Sequence, residues 1–172
     1  MGRPTKTDLA YIAGFLDGDG SLMIQLKSRV KENLPHRLMF TICFYQDSRH
    51  EKPLYWIRNK LQIGYISKRN DGMTELRING YARVNLLLRN LLPYLKFKKI
   101  QAKALYKISG LLCHRKFLRN LNSSERNKLV SCILAVQNEN YKSKYKKSET
   151  ELKSALGMVP VTTSLGKPKR LK

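Results

Sequence analysis

Two neighbouring runs of apolar–polar alternation, a second pair of strand-like runs either side of a turn cluster, and helical periodicity elsewhere predict a mixed α+β fold. Leu22, Ile24 and Leu26 alternate with Met23, Gln25 and Lys27, and Leu38, Phe40, Ile42 and Phe44 alternate with Arg37, Met39, Thr41, Cys43 and Tyr45. That is the period of a half-buried strand. Residues 64–69 and 73–78 flank Asn70-Asp71-Gly72, a hairpin-forming cluster. The order α-β-β-α-β-β-α, followed by further helices, implies an antiparallel sheet covered by helices on one face.

The helices follow from spacing and caps. Thr7 or Asp8 is placed to cap a first helix with Leu9, Ile12, Ala13 and Leu16 at helical period, which must end near Gly18–Gly20. Pro53 is tolerated in the first turn of a helix bearing Leu54, Ile57 and Leu61 on one face. A third helix, 81–92, stops before Pro93, and 99–113 carries Ile100, Ala104, Ile108 and Leu111. Asn122-Ser-Ser-Glu125 reads as a capping box opening a helix through Val136, and 148–156 as one short helix. One domain is expected over 1–157, with a basic, flexible tail at 158–172.

Charge bounds the partners. Lys plus Arg number 34 against 12 Asp plus Glu, a formal net charge of +22. Such a chain attracts polyanions, nucleic acid first among them, because cations that neutralise phosphates release condensed counterions. A ribosomal protein or a binder of anionic membranes would share the charge. No secretory leader pattern and no apolar run of membrane-spanning length is present, so neither secretion nor membrane insertion is expected. Cys43, Cys113 and Cys132 are odd in number and widely spaced, which argues against a disulfide framework and a zinc site.

One stretch resists a purely structural reading: Leu9-Ala-Tyr-Ile-Ala-Gly-Phe-Leu-Asp-Gly-Asp-Gly20. Ala10, Gly14 and Gly18 recur every four residues, a smooth strip along which another backbone can approach, with Ala13 taken as part of the same contact. A mid-helix Gly costs about 1 kcal/mol relative to Ala, so Gly14 signals a packing requirement. A calcium loop fails because the position that needs Gly is Leu22 and the position that needs Glu is Ser28. A phosphate-cradling loop fails for want of GK[ST] and because the turn follows a helix.

The stretch resembles the motif of the LAGLIDADG homing endonucleases, present here once as in the family's homodimeric, single-motif members. Gly64-Tyr65, Leu92-Pro93-Tyr94-Leu95-Lys96-Phe97-Lys98 with Gln101-Ala102, and Ser148-Glu149-Thr150 are similar to further segments of those enzymes. The resemblance implies a saddle-shaped sheet and two motif helices packed across a two-fold axis. It implies Asp19 and the Gly18 carbonyl as protein ligands of Mg²⁺, with Mn²⁺ or Ca²⁺ able to occupy the same site. Gln46 matches the solvent-orienting position and Lys98 the basic residue placed near the scissile phosphate to stabilise transition-state charge, giving Asp19, Gln46 and Lys98 as the catalytic set. His50 stands where relatives carry Arg, with Arg49 or Lys52 as substitutes. Asp17 reads better as bonding at the helix end than as a metal ligand.

On this reading the dimer interface is Ala10, Ala13, Gly14 and Gly18. Duplex DNA meets the outward residues of the sheet: Met23, Gln25, Lys27, Arg29, Arg37, Met39, Thr41, Cys43 and Tyr45, then Ser67, Arg69, Glu75 and Arg77. A twisted antiparallel ribbon fits the major groove, where each base pair is distinguishable. Glu75 could accept from cytosine N4, or form a salt bridge to Arg77 or Lys68. Lys142, Lys144, Lys146 and Lys147 are expected to grip phosphate. The implied partners are double-stranded DNA and a second copy of the chain, with no membrane and no small-molecule cofactor. The setting is intracellular, in an organelle or a prokaryotic cytoplasm. A non-catalytic binder such as an intron-splicing maturase is the alternative; a structural RNA-binding protein explains the charge but not the motif.

Overall fold

The structure, a computed structural model, describes residues 3–28, 36–115, 118–140 and 146–158. Arg29, Lys142, Lys144 and most of the expected tail lie outside them. The elements run α1 (Lys6–Asp19), β1 (Gly20–Ser28), β2 (His36–Asp47), α2 (Lys52–Leu61), β3 (Tyr65–Lys68), β4 (Met73–Asn79), α3 (Tyr81–Leu91), α4 (Lys99–Arg115), α5 (Ser123–Glu139) and α6 (Glu149–Ala155). This is the predicted order. The four strands form one antiparallel sheet in the order β1-β2-β4-β3.

Alternation puts Leu22, Ile24, Phe40, Ile42, Phe44, Leu76 and Ile78 on the covered face, where they join Ile12, Leu16, Leu54, Ile57, Leu88 and Leu105 in one core. Helices α1 and α3 lie on β2, α4 and α5 on β1, and α2 on β4. Each side chain removed from water there contributes roughly 1.5–3 kcal/mol of burial free energy before entropy is counted.

Caps fix the helix ends. Thr5 caps α1, two residues earlier than the spacing suggests: its hydroxyl accepts from the Asp8 N–H at 3.1 Å, and the Asp8 carboxylate accepts from the Thr5 N–H at 2.9 Å. The same reciprocal pairing joins Asn122 to Glu125 and Ser148 to Glu151. At the other end, α1 passes into β1 without a loop. A Cβ on Gly20 would sit 2.7 Å from the Leu16 carbonyl, so only glycine permits this junction. The abrupt exit delivers Asp19 to the edge of the sheet.

Candidate functional site

Two carboxylates end α1, at the pole where the helix dipole disfavours negative charge, and no basic residue occupies that last turn. Their surroundings differ. Asp17 is buried, and its carboxylate accepts three consecutive backbone N–H groups: Lys96 at 2.6 Å, Phe97 at 3.2 Å and Lys98 at 2.9 Å. Asp19 is exposed and makes no hydrogen bond or ion pair among the described residues. The Lys98 ammonium donates to the Asp17 carbonyl. Burial pushes the Lys98 pKa down from its ordinary value, opposed by the negative charges of Asp17 and Asp19.

Asp19 and Lys98 line a cleft of about 1040 Å³, with Tyr45, Gln25, Gln101 and Lys147 also on its walls. Tyr45 donates to or accepts from Ser21 at 2.9 Å, and burial pushes its hydroxyl up to about 12. Lys147 is brought here because its N–H donates to Gln137 of α5 at 2.8 Å, while Asn140 donates to the Leu22 carbonyl at 3.0 Å and ties the end of α5 to β1. Lys146 is exposed, its ammonium 3.5 Å from the Asn138 carbonyl. Gln46 is not on the cleft wall. It lies at the same end of the sheet as Asp19, since β1 opens with Gly20 opposite Phe44, and its side-chain Oε1 accepts from the Asp47 N–H at 2.9 Å. His50, in the place of the expected arginine, is exposed; of its two substitutes, Arg49 is committed to Asp47 through bonds of 3.0 and 2.8 Å and Lys52 is exposed in the first turn of α2.

The residues present suit a hard divalent cation only in part. Asp19 and the Gly18 carbonyl are oxygen donors of the right kind. Among the described residues, however, no three His, Cys, Asp or Glu side chains gather to hold a metal. One chain supplies one carboxylate.

The strip on α1 is open. Ala10, Gly14 and Gly18 are exposed, and a Cβ added at Gly14 or Gly18 would meet nothing within 4 Å. Ala13 corrects the expected interface: it is fully buried, because it faces the core with Ile12 and Leu16, about 100° around the helix from Gly14. Residues the sequence reading passed over flank the strip's helix, namely Tyr11, 52% exposed, and Phe97, 84% exposed on the turn held by Asp17. Flanking charge gave no usable signal for Phe97, since Leu76 and Leu152 are framed by charged residues in the same way and are fully buried.

The uncovered sheet face presents Gln25, Lys27 and Arg37 fully, and Met23, Met39, Tyr45, Ser67 and Arg77 in part; Arg69 is exposed. Three expected base contacts are corrected. Thr41 and Cys43 are 3% and 0% exposed because β2 is a central strand. Thr41 lies between Met23 and Asn79, donating to Asn79 at 2.8 Å, and Cys43 lies between Ser21 and Arg77. Burial pushes the Cys43 thiol up to about 11. Glu75 is 3% exposed, and its two oxygens accept from Arg69 and Arg77, each at 2.9 Å, so the carboxylate is engaged and enclosed rather than presented to a base; Lys68 pairs with Glu51 instead.

The sequence model of the LAGLIDADG endonucleases matches residues 12–109, more than half the chain, from inside α1 into α4. The chain belongs to the LAGLIDADG endonuclease family. DNA endonuclease I-CvuI of Chlorella vulgaris is 35% identical over 99 residues, 58% of this chain and 62% of that protein. DNA endonuclease I-CreI of Chlamydomonas reinhardtii is 30% identical over 103 residues, 60% of this chain and 63% of its own length. The matched part thus spans about three-fifths of these curated relatives. The crystal structure of I-CvuI with its target in the presence of Ca superposes with a TM-score of 0.69 at 28% identity, covering 90% of this chain and 97% of that one. An archaeal intron-encoded endonuclease, I-Vdi141I, complexed with DNA, shares the LAGLIDADG fold at a TM-score of 0.71 and 18% identity, over 88% of this chain and 95% of its own.

Proposed function

We propose that this chain is a site-specific homing endonuclease that binds a long, partly palindromic duplex as a homodimer and cuts both strands with a divalent metal. The observation that carries the proposal is Asp19: an exposed carboxylate that forms no ion pair among the described residues yet feels the charge of Lys98, at the end of a small-residue strip that no described residue covers.

The reading accounts for each part of the molecule. A net charge of +22 gathers DNA, and the uncovered sheet face offers Gln25, Lys27, Arg37 and Arg77 to a groove. Lys147 grips phosphate from the wall of the cleft that also holds Asp19. Asp19 and the Gly18 carbonyl would hold Mg²⁺, with Mn²⁺ or Ca²⁺ as substitutes. The ion would supply Lewis-acid stabilisation of charge developing at a scissile phosphate and aid ionisation of water. Lys98 places a positive charge where phosphate charge builds, and Gln46, once its amide turns from the Asp47 N–H, orients solvent at the same end of the sheet.

A double-strand cut needs two such acids. A second copy, meeting the first along Ala10, Gly14 and Gly18 with Tyr11 and Phe97 at the flanks, supplies the other. A two-fold protein then prefers a two-fold site. I-CvuI, whose structures hold its own target with Ca and the I-CreI target with Mg, supports both the DNA and the metal. The three free cysteines suit an intracellular, reducing compartment.

The test is incubation of purified protein with a randomised, partly palindromic duplex library, with and without Mg²⁺. Metal-dependent double-strand breaks at one selected site are expected. Tight, selective binding without breaks at any metal concentration would replace the nuclease by the non-catalytic binder.

A further inference from the structure

Asp17 stands at the wrong end of a helix for a carboxylate, is 8% exposed, and pairs through its side chain with no Lys or Arg among the described residues. Its side-chain hydrogen bonds come from backbone alone, with the Lys98 ammonium acting on its charge from the neighbouring carbonyl. Oδ2 accepts from the N–H groups of Lys96 and Phe97, and Oδ1 from that of Lys98. Three successive amides converging on one anion form a nest, and this nest lies where α4 begins at Lys99, so the positive pole of α4 offsets the unfavourable pole of α1. The partners are 79–81 residues apart in sequence, and the same turn is joined to α1 a second time by the Lys98 ammonium, which donates to the Asp17 carbonyl rather than to its carboxylate.

We infer that Asp17 is a positioning residue, a latch that fastens the 96–98 turn to the end of α1 and thereby fixes Lys98 beside Asp19. The inference rests on the endonuclease reading for what Lys98 does, but not for the latch itself. The geometry of the carboxylate makes it specific. An amide at this position keeps one acceptor and turns the other oxygen into a donor, so either Lys98 N–H or the Lys96 and Phe97 pair would face another N–H. The same turn displays Phe97, 84% exposed, so one buried acid sets both the site of Lys98 and the presentation of an apolar side chain beside α1.

Hydrogen exchange of the wild-type protein tests the latch without a variant. The amides of Lys96, Phe97 and Lys98 are expected to exchange slowly, and exchange at the unprotected rate would overturn the inference. A double-mutant cycle with Lys98→Ala then tests the role. Asp17→Asn, with a cooperative unfolding transition and duplex affinity within about threefold of wild type, should slow single-turnover cleavage by about 10- to 100-fold, the scale of an ångström-level misplacement. In a Lys98→Ala background the same change should cost less than about threefold, because the residues act as a unit. An equal loss in both backgrounds, or no loss in either, would refute positioning through Lys98. Should the wild type cut no duplex, the nuclease reading fails while the exchange result still decides the latch.

Discussion

Two carboxylates, Asp19 at the end of α1 and Glu75 in the middle of β4, sit in the same strongly basic chain and are treated oppositely by it. Glu75 is enclosed: Arg69 and Arg77 each donate to one oxygen, and Arg69 also reaches Asp71 at 2.7 Å. Asp19 is exposed and paired with nothing among the described residues, although the chain has 34 Lys and Arg to offer. In a field so positive, leaving an acid open takes an arrangement of the fold, here the glycine junction that ends α1 at the sheet edge. The difference teaches that charge serves two ends. Glu75 organises the arginines of the uncovered sheet face, whereas Asp19 is left open, which the proposed function assigns to a cation the protein does not itself supply.

The strongest way to break the comparison is to neutralise each acid. Asp19→Asn should lower cleavage by at least about 10³-fold while duplex binding persists, measured by single-turnover cleavage and by binding in Ca²⁺. Next in size is the interface. Wild type should sediment at twice the 20.0 kDa chain mass. Gly14→Leu should sediment as a folded monomer and lose cleavage, because the added side chain enters space that is open in one chain. Gly14→Ala in a monomer would only gain about 1 kcal/mol of helix propensity, so an active Gly14→Leu dimer would remove the strip from the interface.

Neutralising Glu75 should act on stability and base preference rather than chemistry. Glu75→Gln leaves two half-exposed arginines short of one counter-charge, so a loss of about 1–2 kcal/mol in denaturant unfolding is expected after discounting for solvent screening. Single-turnover cleavage of the best site should change far less than with Asp19→Asn. The smallest effect concerns the paired carboxylates at helix starts. Glu125, held by the Asn122 N–H and Arg115, and Glu151, held by Ser148, have pKa values below the ordinary 4.5. The unfolded chain therefore takes up protons first as pH falls, and stability present above pH 4.5 declines below it. Glu125→Gln should flatten that decline in a pH series of thermal unfolding.

Element order, the covered sheet face and the Asn122–Glu125 capping box were legible because each rests on local spacing, whereas the Ser148–Glu151 box was not read from the sequence. What local spacing does not carry is who sits beside whom. Thr41 and Cys43 point to the uncovered face as alternation requires, yet they are buried because β4 rather than open solvent flanks β2. Ala13 has no size to announce its face, and only packing shows that it belongs with Ile12 and Leu16. Asp17 was read correctly as bonding at the helix end, but its amide partners lie 79–81 residues away and no motif in its vicinity names them. Asp19, Lys98 and Lys147 do meet in one cleft, and Gln46 stands outside it, since its side chain is bonded to its neighbour's amide.

The central claim, that Asp19 is kept free for a metal brought together with DNA, is tested most directly by duplex affinity measured across Ca²⁺ concentrations for wild type and Asp19→Asn. Without divalent ions the wild type should bind more weakly than Asp19→Asn, because the unpaired carboxylate repels phosphate. Added Ca²⁺ should strengthen wild-type binding and leave Asp19→Asn nearly unchanged, by linkage of metal to the acid. Identical Ca²⁺ dependence in the two proteins would contradict the claim.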